Sequence, residues 1–335
     1  MSRGFDNFEI DDFRDFLSES RNSSSDRNTS HGRGGSSQTG PGAQEKLDRL
    51  RDAEFRSDEL FREHGKPNPS SSSRQARQAE ILAVQDRREI PGRDRAYSLR
   101  PSEIHTLAEV GTFRVVAVGD LLSHAYAGDR SRLDSDLRNL IRQGLVERRE
   151  TTALKKESQK VLTLTKRGER LIRRQGFVTD SQAIYEGFVK PKEATHDAAL
   201  YRLYQKAADE IDRKGGKVVR VQLDYELKEE LYRKLGRAQA RGEGQMQQTK
   251  QAFATQLQLP VVHGKVSFPD LRIEYSTSQM EMARVDLELA TGHYHARHLA
   301  EKARAGFQIY AQAEDVSGLR RIRDDREIMT SILSL

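Results

Sequence analysis

The 335-residue sequence predicts a mixed α and β protein with two folded units behind a long polar tail. The tail, residues 1–95, is rich in Ser, Gly and charged residues and poor in apolar ones. The first unit, residues 96–176, shows apolar residues at helical spacing followed by short alternating runs. The second unit, residues 190–335, contains strand-like runs that each enclose an acidic residue. The expected class is therefore multidomain, with an α+β unit followed by an α/β unit.

Composition narrows the class of protein. The chain has 57 Lys and Arg against 51 Asp and Glu, a net charge of +6, which is too small by itself to indicate nucleic-acid binding. It has no Cys, so disulfides and Cys-ligated metal sites are excluded. The first residues lack the apolar core of a signal peptide, and no apolar run reaches about 18 residues. We therefore expect a soluble cytoplasmic protein with no membrane contact.

The tail is predicted to be disordered over residues 1–95. Residues 22–43 have almost no apolar side chains and cannot bury enough surface to offset the entropy of ordering. Near the N-terminus, several apolar residues fall near one face of a helix, which is either a fraying amphipathic turn or a docking peptide for a partner groove. These residues are Phe5, Phe8, Phe13, Phe16 and Leu17.

The first unit is predicted to contain three helices, two strands and a final helix. The third helix has apolar residues at helical spacing and is stopped by Gly144. Thr165 is expected to cap the last helix. The predicted elements are helices at 101–110, 116–126 and 130–143, strands at 145–148 and 161–165, and a helix that ends near 174.

This order of elements is that of a winged helix-turn-helix domain, in which the third helix enters the major groove of DNA. Polar and basic residues follow the third helix and the loop between the two strands, so we expect base contacts from the helix and phosphate contacts from the loop. The alternative is a solvated face that contacts another protein. The predicted DNA-binding residues are Arg130, Ser131, Arg132, Ser135, Arg138, Lys155, Lys156 and Lys160.

The second unit is predicted to alternate helices and strands around a charged helical insertion at residues 226–257. Valine-rich alternation indicates the first strand, and a glycine pair separates it from the preceding helix. A short strand and a short helix are expected after residue 314. The other predicted elements are a helix at 194–214, strands at 217–223, 265–275 and 284–290, and a helix at 295–313.

Two acids stand inside consecutive strands of this unit: Asp270, after Pro269, and Glu288. A helix, a strand, two acid-bearing strands and a helix form the core order of the restriction-endonuclease-like, or PD-(D/E)XK, fold. There the two carboxylates hold Mg²⁺, which orients water and offsets charge on the phosphate. The usual lysine position, two residues after the second acid, is Ala290, and the nearest replacement is Lys302. The sequence thus predicts Asp270, Glu288 and Lys302 as catalytic residues, with the two acids as metal ligands.

Other interpretations of these residues stay open. Asp270 could begin a turn, Glu288 could form a structural ion pair, and Asp286 could share its face of the strand. Three nearby histidines suggest zinc, but no two of them have the four-residue spacing of helical zinc ligands, which favours a surface or DNA-facing position. They are His293, His295 and His298.

Residues 100–312 resemble the replication-relaxation family, whose members are encoded on plasmids and integrative elements and are linked to plasmid replication and DNA relaxation. The resemblance implies a winged helix, a nuclease-like domain, and relaxase or replication proteins as partners. It is carried by His196, Pro269-Asp270, Glu288, Thr291-Gly292, Lys302 and Tyr310.

The leading expectation is a DNA-binding accessory protein of a mobile genetic element that acts in plasmid replication, relaxation or conjugative transfer. Its partner is double-stranded DNA, and Mg²⁺ is its expected cofactor. One rival is an active Mg²⁺-dependent endonuclease of transposition or mobilisation. The other is a winged-helix transcription regulator whose second domain senses a ligand or dimerises, and a homodimer is left open by the sequence.

Overall fold

The computed structural model describes residues 74–153, 156–187, 191–239, 243–292, 294–326, 328 and 330–335. The Phe-rich N-terminal segment and most of the predicted disordered tail lie outside these residues. The described part is a mixed α and β structure, as the sequence predicts. It contains ten helices and twelve strands. No helix in it is both long and apolar enough to cross a membrane.

Residues 74–95 correct the prediction of a disordered tail that extends to residue 95. They contain helix α1 (Arg74–Ala83) and strand β1 (Arg88–Pro91), which pairs antiparallel with β2 (Ala96–Leu99). Helix α1 begins against the second unit, where the Arg74 amide donates to the Asp212 carboxylate at 3.1 Å. Ile90 is buried in the hairpin. The composition of this segment did not indicate an ordered structure, because the order comes from contacts with residues distant in the chain.

The next elements match the predicted helices and strands with one addition. The second predicted helix begins with a short strand, β3, which pairs antiparallel with β5 to give the sheet order β3-β5-β4. The two long strands extend beyond their predicted bounds. The elements are α2 (Pro101–Thr112), β3 (Val116–Ala117), α3 (Val118–His124), α4 (Arg130–Arg142), β4 (Val146–Ala153), β5 (Lys156–Leu164) and α5 (Lys166–Gln175).

Local capping explains where α4 and α5 begin and end. Asp129 precedes α4 and its carboxylate accepts from the Arg132 amide at 2.9 Å. Gly144 follows α4 with a φ of 69°, a conformation that glycine adopts without strain. Thr165 caps α5 by accepting from the Gly168 amide at 3.1 Å, as predicted.

A buried polar network joins α2 to α4. The fully buried Asp136 carboxylate accepts from Arg100 Nε at 2.6 Å, Ser102 Oγ at 2.5 Å and Tyr126 OH at 3.0 Å. Buried charge is tolerated only where it is paired and hydrogen-bonded. The network therefore fixes the position of α4 relative to α2.

The second unit is built on a five-stranded sheet of order β12-β11-β10-β9-β6. Within this sheet, β9 pairs antiparallel with β6 and with β10, whereas β10, β11 and β12 are parallel. The elements are α6 (Pro191–Arg213), β6 (Lys217–Leu223), α7 (Asp224–Gln239), α8 (Glu243–Gln256), β7 (Val261–Val262), β8 (Lys265–Val266), β9 (Leu271–Ser276), β10 (Met282–Ala290), α9 (Ala296–Arg304), β11 (Gln308–Ala311), α10 (Ala313–Asp325) and β12 (Ile332–Ser334).

The two faces of this sheet are buried in different clusters. Leu287 and Leu289 of β10 belong to the main apolar cluster, which also includes Tyr201 of α6. Ala290 belongs instead to a second cluster that contains Leu299 of α9. Because strand side chains alternate, Glu288 lies on the same face as Ala290, toward α9.

The helix predicted over residues 295–313 is wrong in its second half. Helix α9 stops at Arg304, Gly306 follows with a φ of 77°, and the chain continues as strand β11. Tyr310 lies on β11 within the main apolar cluster, on the face opposite Glu288. Tyr310 therefore supports the sheet and lies away from the acids.

The predicted units share one apolar core. The main cluster runs from Leu164 of β5 through Tyr201 of α6 to Leu287 of β10. The predicted linker is also bonded to both sides, since the Tyr185 amide donates to Gly111 O at 2.8 Å and the Gln182 side-chain amide donates to Val221 O at 2.8 Å. The two sheets are thus held in a fixed relation.

The predicted helical insertion corresponds to α7 and α8, which pack together around a small apolar cluster of their own. Leu231 of α7 and Phe253 of α8 are buried in it. The insertion is therefore a separate packed layer beside the sheet.

The Asp136 network gives a stability prediction. Asp136→Ala should lower the free energy of unfolding by about 3–5 kcal/mol, because it leaves buried guanidinium groups without their partner. Asp134→Ala on the same helix is the matched control, and its exposed carboxylate should contribute within about 0.5 kcal/mol. Urea denaturation followed by circular dichroism measures both, and equal losses would contradict the proposed role of the network.

Candidate functional site

Asp270 lies directly before β9 and not inside a strand, because the strand predicted over residues 265–275 is divided into β8 and β9. Its Oδ2 accepts from the Leu289 amide on β10 at 2.9 Å, and its backbone carbonyl accepts from the Asp224 amide at 3.2 Å. These two bonds set the carboxylate beside β10, one residue from Glu288. The side chain therefore has little freedom to turn away from the second acid.

Glu288 is fully buried and surrounded by donors. Lys302 Nζ of α9 lies 2.8 Å from Glu288 Oε1 and 2.9 Å from Oε2, and the Tyr294 hydroxyl donates to Oε1 at 2.5 Å. Lys302 also donates to the Phe268 carbonyl at 2.7 Å. The structure thus brings the predicted Asp270, Glu288 and Lys302 together, with the lysine supplied from the following helix.

The usual lysine position could not hold a charged side chain here. Ala290 is fully buried in the second apolar cluster, against Leu299. A lysine there would place its ammonium group among apolar side chains. The replacement by Lys302 therefore follows from the way α9 packs on the sheet.

The two acids have different proton affinities. Burial, followed by the nearby Asp270 charge, raises the pKa of Glu288 to about 7, although Lys302 partly opposes this. Burial would also raise the pKa of Asp270, but His196, Lys302 and the Leu289 amide outweigh it and lower that pKa. Asp270 is therefore charged at neutral pH, whereas Glu288 titrates close to it.

His196 is a member of the site that was noted in the sequence only through the family resemblance. It lies on α6 with Nε2 3.5 Å from Asp270 Oδ2 and Nδ1 3.6 Å from Asp197 Oδ1. Burial lowers the pKa of His196, but the two acids outweigh burial and raise it to about 10. The imidazole is thus a cation at neutral pH, which excludes it as a general base and makes it a charge partner of Asp270.

Tyr294 was missed by sequence reasoning. Burial and the Glu288 charge raise the pKa of its hydroxyl well above the usual range, so it remains a hydrogen-bond donor to Glu288. It lies in the turn between β10 and α9, which the sequence marked only by Thr291-Gly292. Nothing in a single sequence distinguishes this tyrosine from a core residue.

The first unit contributes to the surroundings of the site. Arg114, in the turn between α2 and β3, has Nη1 3.6 Å from Asp197 Oδ2, and its guanidinium lies 4.8 Å from the centre of the Tyr225 ring. Asp197 adjoins His196 on α6. The sequence could not indicate this contact, because 83 residues separate Arg114 from Asp197.

The other residues that the sequence suggested for this site are Asp286 and three histidines. Asp286 does share the Glu288 face, but Arg272 binds its two oxygens at 2.6 and 2.8 Å, so it forms a structural ion pair. His295 precedes α9, and the His298 ring packs 5.6 Å from that of Tyr294. His293 lies outside the described residues. Within the described part, no three His, Asp or Glu side chains form a group that could hold a metal.

Five of the eight predicted DNA-binding residues have side chains that are exposed or partly exposed. Arg130, Ser131, Arg138 and Lys160 are exposed, and Ser135 is half-buried. Arg130 Nε lies 3.5 Å from Asp134 Oδ2. Lys155 lies outside the described residues, and of Lys156 only its place at the start of β5 is described.

Arg132 corrects the prediction that it reads DNA. Its side chain is buried, with the guanidinium donating to Val84 O and to the Gln85 side chain, and with Nε 3.6 Å from Asp136 Oδ2. Ser135 is also engaged, since its hydroxyl accepts from Arg100 Nη2 at 2.8 Å. These two residues lie on the inner side of α4 and hold the helix to the fold.

Comparisons with protein-family models, with curated proteins and with solved structures found no match to this chain. Function is therefore inferred from the geometry of the described residues and from the sequence motifs.

The raised pKa of Glu288 predicts a specific pH dependence. Its folded pKa of about 7 exceeds the ordinary 4.5, so the folded state holds this proton more tightly and loses stability as pH rises from about 4.5 to 7. Glu288→Gln removes the titrating group. The free energy of unfolding of the variant, relative to that of wild type, should rise by on the order of a few kcal/mol between pH 5 and pH 8.

Thermal melting at both pH values measures this difference. Glu301→Gln, on the same helix as Lys302, is the control and should leave the wild-type pH dependence unchanged. A Glu288→Gln profile parallel to wild type would contradict the assigned pKa shift.

Proposed function

We propose that the protein binds duplex DNA through a winged helix-turn-helix formed by α2 to α5. The observation that carries the proposal is the outward face of α4, where Arg130, Arg138 and Arg142 are exposed. Helix α4 follows α3 across a short turn and precedes the long β4–β5 hairpin. This is the arrangement in which a recognition helix lies in the major groove and a wing contacts the backbone.

The division of α4 into two faces supports this use. Leu133, Leu137 and Leu140 bury its inner face, and Asp136 anchors it. The outer face carries three arginines against one acid, Asp134. Arginine contacts both phosphates and guanine edges, so this face fits duplex DNA.

Arg138→Gln should weaken binding of the full chain to duplex DNA and lower the salt slope by about one, because one phosphate contact is lost. Arg326→Gln, an exposed arginine after α10, is the control and should leave both quantities unchanged. Fluorescence anisotropy at several salt concentrations measures them. Binding that is absent or independent of salt in the wild type would overturn the proposal.

We also propose that the second unit is a nuclease-like domain. Its strand order, with three antiparallel strands followed by parallel ones and with α6 on one face, is compatible with the restriction-endonuclease-like core. The specific observation is the meeting of Asp270 and Glu288 beside β10, with Lys302 on Glu288. An acid pair and a lysine in this arrangement suit metal-assisted hydrolysis of a phosphodiester.

The oxygen donors fit a divalent cation. Glu288 and the Phe268 carbonyl supply oxygens, the ligand type that Mg²⁺ prefers, and Asp270 adds a second carboxylate. The Lys302 ammonium group contacts Glu288 and the Phe268 carbonyl, so these oxygens already surround a positive charge. When bound, Mg²⁺ would offset charge on a phosphate and favour ionisation of water. Two carboxylates cannot fill the coordination sphere of Mg²⁺, so water would have to complete it.

The resident side chains divide the other tasks. Tyr294 orients Glu288 by its short hydrogen bond. The His196 imidazolium balances the Asp270 charge and is one-third exposed, so it can donate to a phosphate oxygen that approaches Asp270. Lys302 holds Glu288 and would be freed for a phosphate when another cation takes its place.

Metal binding tests this assignment without relying on cleavage. Mg²⁺ or Mn²⁺ should raise the melting temperature of the wild type, and Asp270→Asn should abolish the rise. Lys302→Met should enlarge it, because the metal no longer displaces an ammonium group. Differential scanning fluorimetry measures all three, and Asp286→Asn serves as a control for loss of a nearby acid. Equal rises in wild type and Asp270→Asn would remove the metal site and the nuclease proposal together.

The resemblance of residues 100–312 to the replication-relaxation family supports a role on a mobile genetic element. We propose an accessory role in plasmid replication, relaxation or transfer, beside a relaxase or replication protein. Mg²⁺-dependent nicking of supercoiled plasmid, lost in Asp270→Asn, would favour the active endonuclease. DNA binding restricted to one promoter, without nicking, would favour the transcription regulator.

A further inference from the structure

We infer that α5, together with the β1–β2 hairpin, forms a second surface that binds the phosphate backbone of duplex DNA. It is separate from the outward face of α4 and rests on the proposed DNA binding. The surface is defined by Arg167, Arg170 and Arg174 of α5 and Arg95 of the hairpin. We call it the α5 surface.

Helix α5 has an unusually uneven distribution of charge. Its ten residues include one lysine, four arginines and one glutamate. Leu171 and Ile172 are buried against the main cluster, which turns the basic residues outward. Because Thr165 and Gly176 cap its two ends, the helix is a fixed platform for these charges.

Two of the five basic residues of α5 lie beside glutamates. Lys166 lies 4.0 Å from Glu186, and Arg173 pairs with Glu169. Arg167, Arg170 and Arg174 are exposed and form no ion pair within the part of the chain that the structure describes. Three like charges on one short helix repel each other, and an anionic ligand would relieve this repulsion.

Neighbouring elements extend the positive surface. Gln175 Nε2 donates to Pro91 O at 2.6 Å, which ties the end of α5 to the hairpin, and Arg95 donates to Gln143 O beyond the end of α4. Gly144 follows Gln143 in the chain, and the Arg167 guanidinium lies beside it. The hairpin, the end of α4 and the start of α5 therefore meet. The acid of the hairpin turn, Asp94, lies 3.9 Å from Arg93 and does not offset the α5 arginines.

A nucleic-acid backbone fits this surface better than a protein partner. The α5 arginines recur every three to four residues, or about 4.5–6 Å along the helix. They form one row of positive charge that can lie along a row of phosphates. Protein interfaces usually have an apolar centre, but α5 has no exposed large apolar residue. The α5 surface meets α4 at Gly144, so a duplex on α4 can continue onto it.

The test compares two doubly substituted full-length proteins, Arg170→Gln/Arg174→Gln on α5 and Arg321→Gln/Arg326→Gln on and after α10. Both remove two positive charges from exposed positions. Anisotropy with a duplex of about 25 base pairs is measured across salt concentrations, and circular dichroism checks folding. The α5 variant should lose about two from the salt slope and at least tenfold in affinity at low salt. The α10 variant should match wild type.

Arg138→Gln separates this inference from the proposed function. If Arg138→Gln weakens binding but the α5 variant does not, the α5 surface is no DNA contact, and an acidic protein becomes its better occupant. If neither change has an effect, both proposals fail. Equal losses in the α5 and α10 variants would show a nonspecific effect of net charge and would also overturn the inference.

Discussion

The packing of α6 between the two sheets is the constraint on which the rest of the structure depends. Its apolar side, which includes Tyr201, is buried with β5 residues of one sheet and β10 residues of the other. Burial on both sides of one helix stabilises the relation between the units more than a flexible linker could. It also sets His196, near the start of α6, against Asp270, while the next residue, Asp197, faces Arg114 of the first unit.

Charge balance organises the candidate site. Two carboxylates buried this close together repel, so they persist only beside cations. His196 pairs with Asp270 and Lys302 pairs with Glu288, and each cation comes from a different helix. Each buried acid therefore has a cation within ion-pair distance. Burial and the Asp270 charge raise the pKa of Glu288, whereas the cations around Asp270 lower its pKa, so Glu288 holds its proton more tightly than Asp270.

Helix α4 shows how one helix can serve the core and the surface with the same residue type. Arg132 turns inward to the buried network around Asp136, whereas Arg138 turns outward. The inward arginine costs desolvation, which the Val84 and Gln85 acceptors and the Asp136 charge offset. The outward arginines remain exposed, and α5 adds more exposed arginines on an adjoining surface.

Sequence patterns by themselves determined most of the helices and strands, because apolar periodicity and capping residues such as Asp129 and Thr165 act locally. They also indicated that Asp270, Glu288 and Lys302 belong together, since the two acids were expected in consecutive strands. Only the tertiary structure decided that Arg132 is buried, that residues 74–95 are ordered and that Tyr310 faces away from the acids. Each of these depends on contacts between residues far apart in the chain, and a local pattern carries no information about such contacts. For the same reason, His196 and Tyr294 took their places at the site only when α6 and the turn before α9 closed around the sheet.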